Sequence, residues 1–245
     1  MSKLVIQGGQ KLSGEVRISG MKNAATPLLA AAMLTREECV IENIPKITDV
    51  GKMLEIMRST GARAEFTGDH TVTVEARDID PGRINREAVY ALRSSVLLTG
   101  PLIARAGALD LPEPGGCIIG NRPLDTHLHV FETMGVEVRR KEGVYAFRGH
   151  PRAATIVLPE FSVTATENAL MAAVLAPGIT TVKLAAAEPH VQDLCAFLSK
   201  MGARISGVGT HTLTVEGVQE LHGARHTIIP DQIEVGSFVA LALAT

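Results

Sequence analysis

Cys117 stands in PEPGGCIIGNRPLDTH, Pro112 to His127, a stretch with neither helical nor strand period and bounded by glycine and proline. Its neighbours Gly115 and Gly116 offer no packing, while Arg122, five positions on, and Lys22 are cations able to lower a thiol pKa. That setting points to a reactive thiol rather than to the small buried hydrophobe that most free cysteines are. Arg122 offers a bidentate grip on a phosphate. Asp125, on the turn into the next helix, caps that helix or accepts from a ribose or base donor. His127 can titrate near neutrality. Cys39, in an apolar strand, and Cys195, on VQDLCAFLSKMG, keep the buried reading. Three cysteines with no CxxC pair exclude a disulfide framework and a zinc site, and no metal or cofactor is expected.

These residues are positioned by a repeat. TGARAEFTGDHTVTVE, Thr60 to Glu75, matches MGARISGVGTHTLTVE, Met201 to Glu216, at the displacement of 141 that separates Gly61 from Gly202. The match runs without a gap from Asn23/Thr164 to Glu75/Glu216. A fainter middle copy, FETMGVEVRRKEGVYAFRG, sets Gly135 against Gly61 at 74. Each unit reads as an Ala/Leu-rich helix (Ala24 to Leu34, about Ser94 to Arg105, Thr166 to Ala176), a short β-branched strand, an amphipathic helix ending in Gly61, Gly135 or Gly202 as a left-handed cap, and two alternating strands. The predicted class is α/β, three repeated α-β-α-β-β units with the Ala-rich helices buried at a common centre and the sheets outside. The middle strand ALDL aligns at 69 and the following helix at 74, so five extra residues fall in the cysteine loop. An insertion in an otherwise regular repeat is where function is added to a scaffold.

At 141, Lys22 and Asn23 align with Val163 and Thr164, and at 69 Arg93 falls beside them. Three buried helices thus bring their N-termini to one region, two of them carrying cations, which makes an anion site. Asn23 is either a helix cap or a ligand contact. FSVTATEN, Phe161 to Asn168, is the matching turn of the third unit: a cap with Glu167 in the first turn, or a hydroxyl-rich contact that includes Ser162 and Val163.

With Lys plus Arg 24 against Asp plus Glu 26, no overall positive field advertises nucleic acid or an anionic membrane. Aromatic residues make up 3% of the chain, too few for base-stacking platforms. No apolar run approaches the ~20 residues that span a bilayer, and MSKLVIQGG has no signal-peptide pattern, so cytoplasm is the default compartment and a monomer the default state. The 46% apolar content supports a core in one large domain or two modest ones.

GEVRISGMKNAATPLLAAAML, PGGCIIGNRPLDTH, SVTATENALMAAVLAPG and PDQIEVGSF together resemble the UDP-N-acetylglucosamine 1-carboxyvinyltransferase family of enolpyruvyl transferases. The resemblance implies an inside-out α/β barrel and transfer of the enolpyruvyl group of phosphoenolpyruvate to the sugar 3′-hydroxyl of UDP-N-acetylglucosamine, opening peptidoglycan synthesis. It implies that Lys22, Arg93 and Arg122 bind phosphoenolpyruvate and the departing phosphate and that Asn23 orients the sugar. Cys117 would be the loop acid at the enol carbon and the target of fosfomycin-like epoxides. Arg122, Pro123, Leu124, Asp125, Thr126 and His127, with Glu160 to Val163 (Ser162 included), would hold the nucleotide. Three positions depart: Thr164 for a common glycine, which would crowd the nucleotide turn, Gln232 for an arginine, and Glu160 for a basic residue of some members. Residues 20–229 would form the catalytic-loop domain, with 1–19 and 230–245 belonging to a second domain that family members continue through. The chain would then be inactive alone or only a UDP-sugar-binding module. The related 5-enolpyruvylshikimate 3-phosphate synthase lacks a loop cysteine, so GGCIIGNRP speaks against it.

Overall fold

A computed structural model of the chain describes residues 3–9, 12–115 and 123–245. The first unit runs α1 (Lys22–Ala31), β1 (Cys39–Glu42), α2 (Thr48–Ser59), β2 (Arg63–Gly68) and β3 (Thr71–Glu75). A short helix α3 (Arg86–Ala91) leads into the second: α4 (Thr99–Ala106), β4 (Ala108–Pro112), α5 (Asp125–Thr133), β5 (Glu137–Lys141) and β6 (Val144–Arg148). The third adds β7 (Thr155–Val157), α6 (Val163–Ala173), β8 (Ile179–Lys183), α7 (Pro189–Lys200), β9 (Arg204–Ser206) and β10 (Thr212–Glu216), followed by β11 (Arg225–Thr227) and α8 (Gln232–Ala244).

The repeat holds at the level of single hydrogen bonds. Gly61, Gly135 and Gly202 all have positive φ (101°, 80° and 101°). In each case the glycine N–H bonds three residues back and the next N–H five residues back, as Ala62 to Met57, Val136 to Phe131 and Ala203 to Leu198. That is the Schellman closure, for which a residue without Cβ is the cheapest choice. Cys39 pairs with Val74 and Thr180 with Val215, the same antiparallel register 141 residues apart. His70 Nδ1 meets the Ile44 carbonyl at 2.9 Å, and His211 Nδ1 meets that of Ala185 at 2.9 Å.

Inside-out packing follows from composition. α1 and α6 are buried on every side from Ala24 to Ala31 and from Ala165 to Ala173, and only small side chains let helices pack that closely at a centre. α4 packs on α6, and α1 on α7 and on the 3₁₀ turn Arg93–Leu98. The strands alternate one buried and one exposed face, which places the sheets on the outside of the helices. Aromatic burial supports the sheet of the middle unit, where Phe131 meets Phe147 edge-to-face at 5.3 Å. Truncating a fully buried ring of this kind costs about 3–5 kcal/mol. Arg105, at the end of α4, ties the second unit to the first by donating to the carbonyls of Met33, Thr35, Ala76 and Arg77 at 2.5–3.3 Å.

Two features correct the expected unit formula. The sheets run β11-β1-β3-β2, β7-β8-β10-β9 and β4-β6-β5, so two of them carry an extra parallel strand on β1 or β8. β7 and β11 are three residues long, too short to show alternation in sequence. β11 comes from the far end of the chain and closes the ring onto the first unit. The second Ala-rich helix is also not continuous. Arg93–Leu98 is 3₁₀ before α4 begins at Thr99.

The body of the repeat is left at one crossing. Gly20 bridges Pro230, Asp231 N–H donates to Ser19 O at 2.9 Å, and Ser19 N–H donates to Glu234 Oε2 at 2.6 Å. Beyond it, residues 3–9 and 12–19 have no regular secondary structure. α8 is capped by Asp231, whose side chain accepts from Ile233 N–H at 2.8 Å, and buries none of its residues although it is almost wholly apolar.

Candidate active site

The starts of α1, α6 and the 3₁₀ turn at Arg93 surround a cavity of about 800 Å³. Lys22, Asn23, Arg93, Pro123, Thr126, His127, Ser162 and Val163 line it, so the convergence expected of three helix N-termini is present. Leu124 instead sits in the core and Asp125 on the exposed first turn of α5, and neither lines the cavity. Cys117 and Arg122 lie outside the described residues.

The caps differ from expectation in two places. Met21 is the N-cap of α1 and makes no side-chain bond, so Asn23 lies inside the first turn and caps nothing. Leu124 is the N-cap of α5, again without a side-chain bond, so Asp125 lies in the first turn and caps nothing, and its charge there suits the helix dipole. Ser162 does cap α6: its side chain accepts from Ala165 N–H at 3.4 Å, and its carbonyl accepts from Thr166 Oγ1 at 2.7 Å.

Lys22 occupies the first position of α1, where the helix dipole disfavours a cation. An ion pair with Asp49 at the start of α2 offsets this, both side chains being partly exposed. Arg93 donates to the carbonyls of Pro114 at 3.3 Å and Pro123 at 3.5 Å, on either side of the segment that carries Cys117. Gly115 is not merely unpacked, since a Cβ there would lie 1.9 Å from the Tyr90 carbonyl oxygen. Thr126 Oγ1 donates to Glu160 Oε1 at 2.8 Å. The cavity therefore mixes signs among the described residues, with Asp49 and Glu160 beside Lys22 and Arg93.

Burial decides the state of three further groups. Glu167, 1% exposed and one turn into α6 on the cavity wall, is held well above the usual carboxylate range by desolvation and then by Glu188. Its Oε1 has no partner among the described residues. His127 is buried and its pKa is pushed down to about 3, first by burial and then by Arg93, so it does not titrate near neutrality. Its Nδ1 lies 3.0 Å from Asn168 Nδ2 and its Nε2 3.1 Å from Thr164 Oγ1. Cys39 and Cys195 are buried, with thiols raised by desolvation to about 11 and about 12, which makes both inert.

Thr26, Asp49, Glu167 as a wall residue, and His190 are among the cavity residues not singled out from sequence. The signal was available. Thr26 and Glu167 are 141 residues apart, as are Asp49 and His190, so the internal repeat pairs them as it pairs Lys22 with Val163 and Asn23 with Thr164.

Residues 6–245 match the family model described as EPSP synthase (3-phosphoshikimate 1-carboxyvinyltransferase). The UDP-N-acetylglucosamine 1-carboxyvinyltransferases of Treponema pallidum (strain Nichols) and Bradyrhizobium diazoefficiens are each 46% identical to this chain, over 100% and 98% of it. The chain spans 58% and 56% of the length of those relatives. Among solved structures, the enolpyruvyl transferase NikO from Streptomyces tendae superposes with a TM-score of 0.84 at 30% identity, over 96% of this chain and 56% of that one. EPSP synthase from Acinetobacter baumannii, at 18% identity and a TM-score of 0.71 over 92% of this chain and 51% of its own, shares the fold. The chain belongs to the EPSP synthase (3-phosphoshikimate 1-carboxyvinyltransferase) family, with the inside-out α/β fold of the enolpyruvyl transferases, and within it is similar to the UDP-N-acetylglucosamine 1-carboxyvinyltransferases over more than half of their length.

Proposed function

We propose that this chain forms the catalytic-loop part of a transferase that moves the enolpyruvyl group of phosphoenolpyruvate to the 3′-hydroxyl of UDP-N-acetylglucosamine, the opening step of peptidoglycan synthesis. The observation that carries the reading is a cavity on which all three units converge, lined by Lys22, Asn23, Arg93, Thr126, Ser162 and Val163. The names of the relatives at 46% identity favour this acceptor over shikimate 3-phosphate, because the EPSP synthase structure at 18% speaks only to the fold.

In the proposed reaction the sugar hydroxyl gives up its proton as its oxygen bonds to C2 of phosphoenolpyruvate, while C3 gains a proton. The tetrahedral adduct then loses one proton from C3 as the C2–O bond to phosphate breaks, leaving the enolpyruvyl ether, and the proton given up by the hydroxyl ends on the released phosphate. Lys22 and Arg93, with Arg122, meet the anionic charge of phosphoenolpyruvate and of the leaving phosphate, as fixed cations at helix starts do without a metal. Asn23 orients the sugar hydroxyl. Cys117 is the acid at C3 on its loop. In this reading residues 20–229 are one domain and residues 1–19 and 230–245 pack with a second, which leaves the apolar α8 without a partner here. The protein works as a cytoplasmic monomer.

Phosphate release is the test, measured with both substrates on these 245 residues and on the full-length coding sequence. Turnover that depends on the acceptor sugar nucleotide, in either form, supports the transferase. A full-length protein that binds UDP-N-acetylglucosamine yet releases no phosphate would reduce the reading to a binding module.

A further inference from the structure

The middle sheet lacks a strand that the other two possess. β1 is covered at its outer edge by β11 and β8 by β7, both parallel, whereas β4 ends the three-stranded sheet β4-β6-β5. Beside β4 lie instead the 3₁₀ turn Pro81–Arg83 and the start of α3. A turn does not follow a strand edge as a parallel strand does, and a second cavity, of about 280 Å³, is left there. Ile84, Ala108 and Leu109 supply apolar lining, and Arg86, Asp110 and Arg148 supply charge. This cavity shares no lining residue with the candidate active site, and the six residues of α3 run from Arg86 in one to Ala91 in the other.

The two guanidinium groups differ. Arg148 is fixed: its Nη2 pairs with Asp110 Oδ1 at 2.6 Å, and its Nη1 donates to the carbonyls of Leu109 at 3.2 Å and Phe147 at 2.8 Å. Arg86 is exposed and makes no hydrogen bond or ion pair among the described residues. Comparable cations elsewhere in the repeat are neutralised, Arg225 at the covered edge of the first sheet by Glu42 at 3.0 Å and Lys22 at the start of α1 by Asp49. The backbone that carries Arg86 is nonetheless held. Asn85 accepts from Ala88 N–H at 3.1 Å, and it donates to α2 through its N–H to Ser59 Oγ at 2.8 Å and its Nδ2 to Glu55 Oε1 at 3.1 Å. Asp80 accepts from Gly82 N–H at 2.9 Å and fixes the turn.

Charge and size define an occupant. Two guanidinium groups against the one carboxylate of Asp110 leave a single positive charge on the lining. The volume lies just under the ~300 Å³ at which pockets for drug-sized ligands begin, so the occupant is small. A planar guanidinium meets a carboxylate with two parallel N–H···O bonds, and the apolar lining suits a short hydrocarbon.

We propose that the cavity at the open edge of β4 is a binding site for a small organic carboxylate, gripped by Arg86 beside the fixed Arg148, with its hydrocarbon part against Ile84, Ala108 and Leu109. The proposal does not depend on the enolpyruvyl-transfer reading.

The test is amide chemical-shift titration of the 245-residue chain with butyrate, with butyramide as its neutral counterpart, and with inorganic phosphate. Butyrate should give saturable shifts at Gly82, Ile84 and Asp110, with a dissociation constant of about 1–10 mM, as expected of so small a ligand. Butyramide should give none there at the same concentrations. Arg86→Ala, at an exposed position, should weaken butyrate about tenfold, the low end for a hydrogen bond to a charged group. Arg86→Lys keeps the charge and loses the fork, and should weaken it about threefold. Absence of saturable butyrate shifts at these residues, an equal response to butyramide, or unchanged affinity in Arg86→Ala would each overturn the proposal. Phosphate that binds this cavity more tightly than butyrate would overturn the assignment to a carboxylate.

Discussion

His127→Gln isolates the energetic consequence of burying a neutral imidazole. In the folded chain His127 protonates only near pH 3, against an ordinary value of 6.5. A folded pKa depressed below the unfolded one means that the stability is fully present above pH 6.5 and is lost as pH falls from 6.5 toward 3, because only the unfolded chain takes up the proton. At pH 5 the unfolded chain is 1.5 units below its ordinary value. At ~1.4 kcal/mol per unit the loss is about 2 kcal/mol relative to pH 8. Glutamine keeps an amide of similar reach and does not titrate, so the variant lacks this loss, and every other pH effect cancels in the difference between the two proteins. Urea unfolding at pH 8 and pH 5 reads it directly. With a slope of ~3 kcal/mol/M, the midpoint of the parent should fall by about 0.7 M more than that of the variant. Parallel profiles, with less than about 0.5 kcal/mol between them, would mean that His127 ionises in the folded protein.

Three other outcomes follow from the same structure. Glu167 is the opposite case, a carboxyl whose folded pKa is raised, so it costs stability increasingly as pH rises above 4.5. Glu167→Gln should therefore gain stability over the parent as pH rises through that range, and a pH-independent difference in chemical denaturation would contradict the burial argument. Alkylation of the native chain by an epoxide, mapped by peptide mass, should modify Cys117 while Cys39 and Cys195 stay intact, and Cys117→Ser should abolish labelling. Prior modification of either buried thiol would count against the assignment. Lys22→Ala should weaken phosphoenolpyruvate capture far more than nucleotide binding, and equal losses in a two-ligand titration would remove Lys22 from the phosphoenolpyruvate site.

The convergence of helix starts was legible in sequence because a gapless displacement of 141 carries three-dimensional information. Residues one displacement apart occupy equivalent places, so finding Lys22 and Asn23 at one helix start placed Val163 and Thr164 at another. The same displacement would have placed Asp49 against His190, had charge at the second helices been followed as closely as charge at the first. Other features were invisible for physical reasons. β7 and β11 are three residues each, and their pairing is parallel and remote, so no local pattern marks them. The neutrality of His127 and of Glu167 depends on desolvation by elements far away in the chain, which spacing does not encode. The Asp49 partner of Lys22 comes from a different helix, and it changes the expected free cation into half of an ion pair.

The central claim is that one cavity, walled by all three repeat units, receives the nucleotide sugar. Amide chemical-shift mapping of the chain on addition of UDP-N-acetylglucosamine tests it most directly. Perturbations grouped at Asn23, at Thr126 and at Ser162 to Thr164, one set per unit, are the predicted result. Perturbations confined to a single unit, or clustered on the outer sheets, would contradict it.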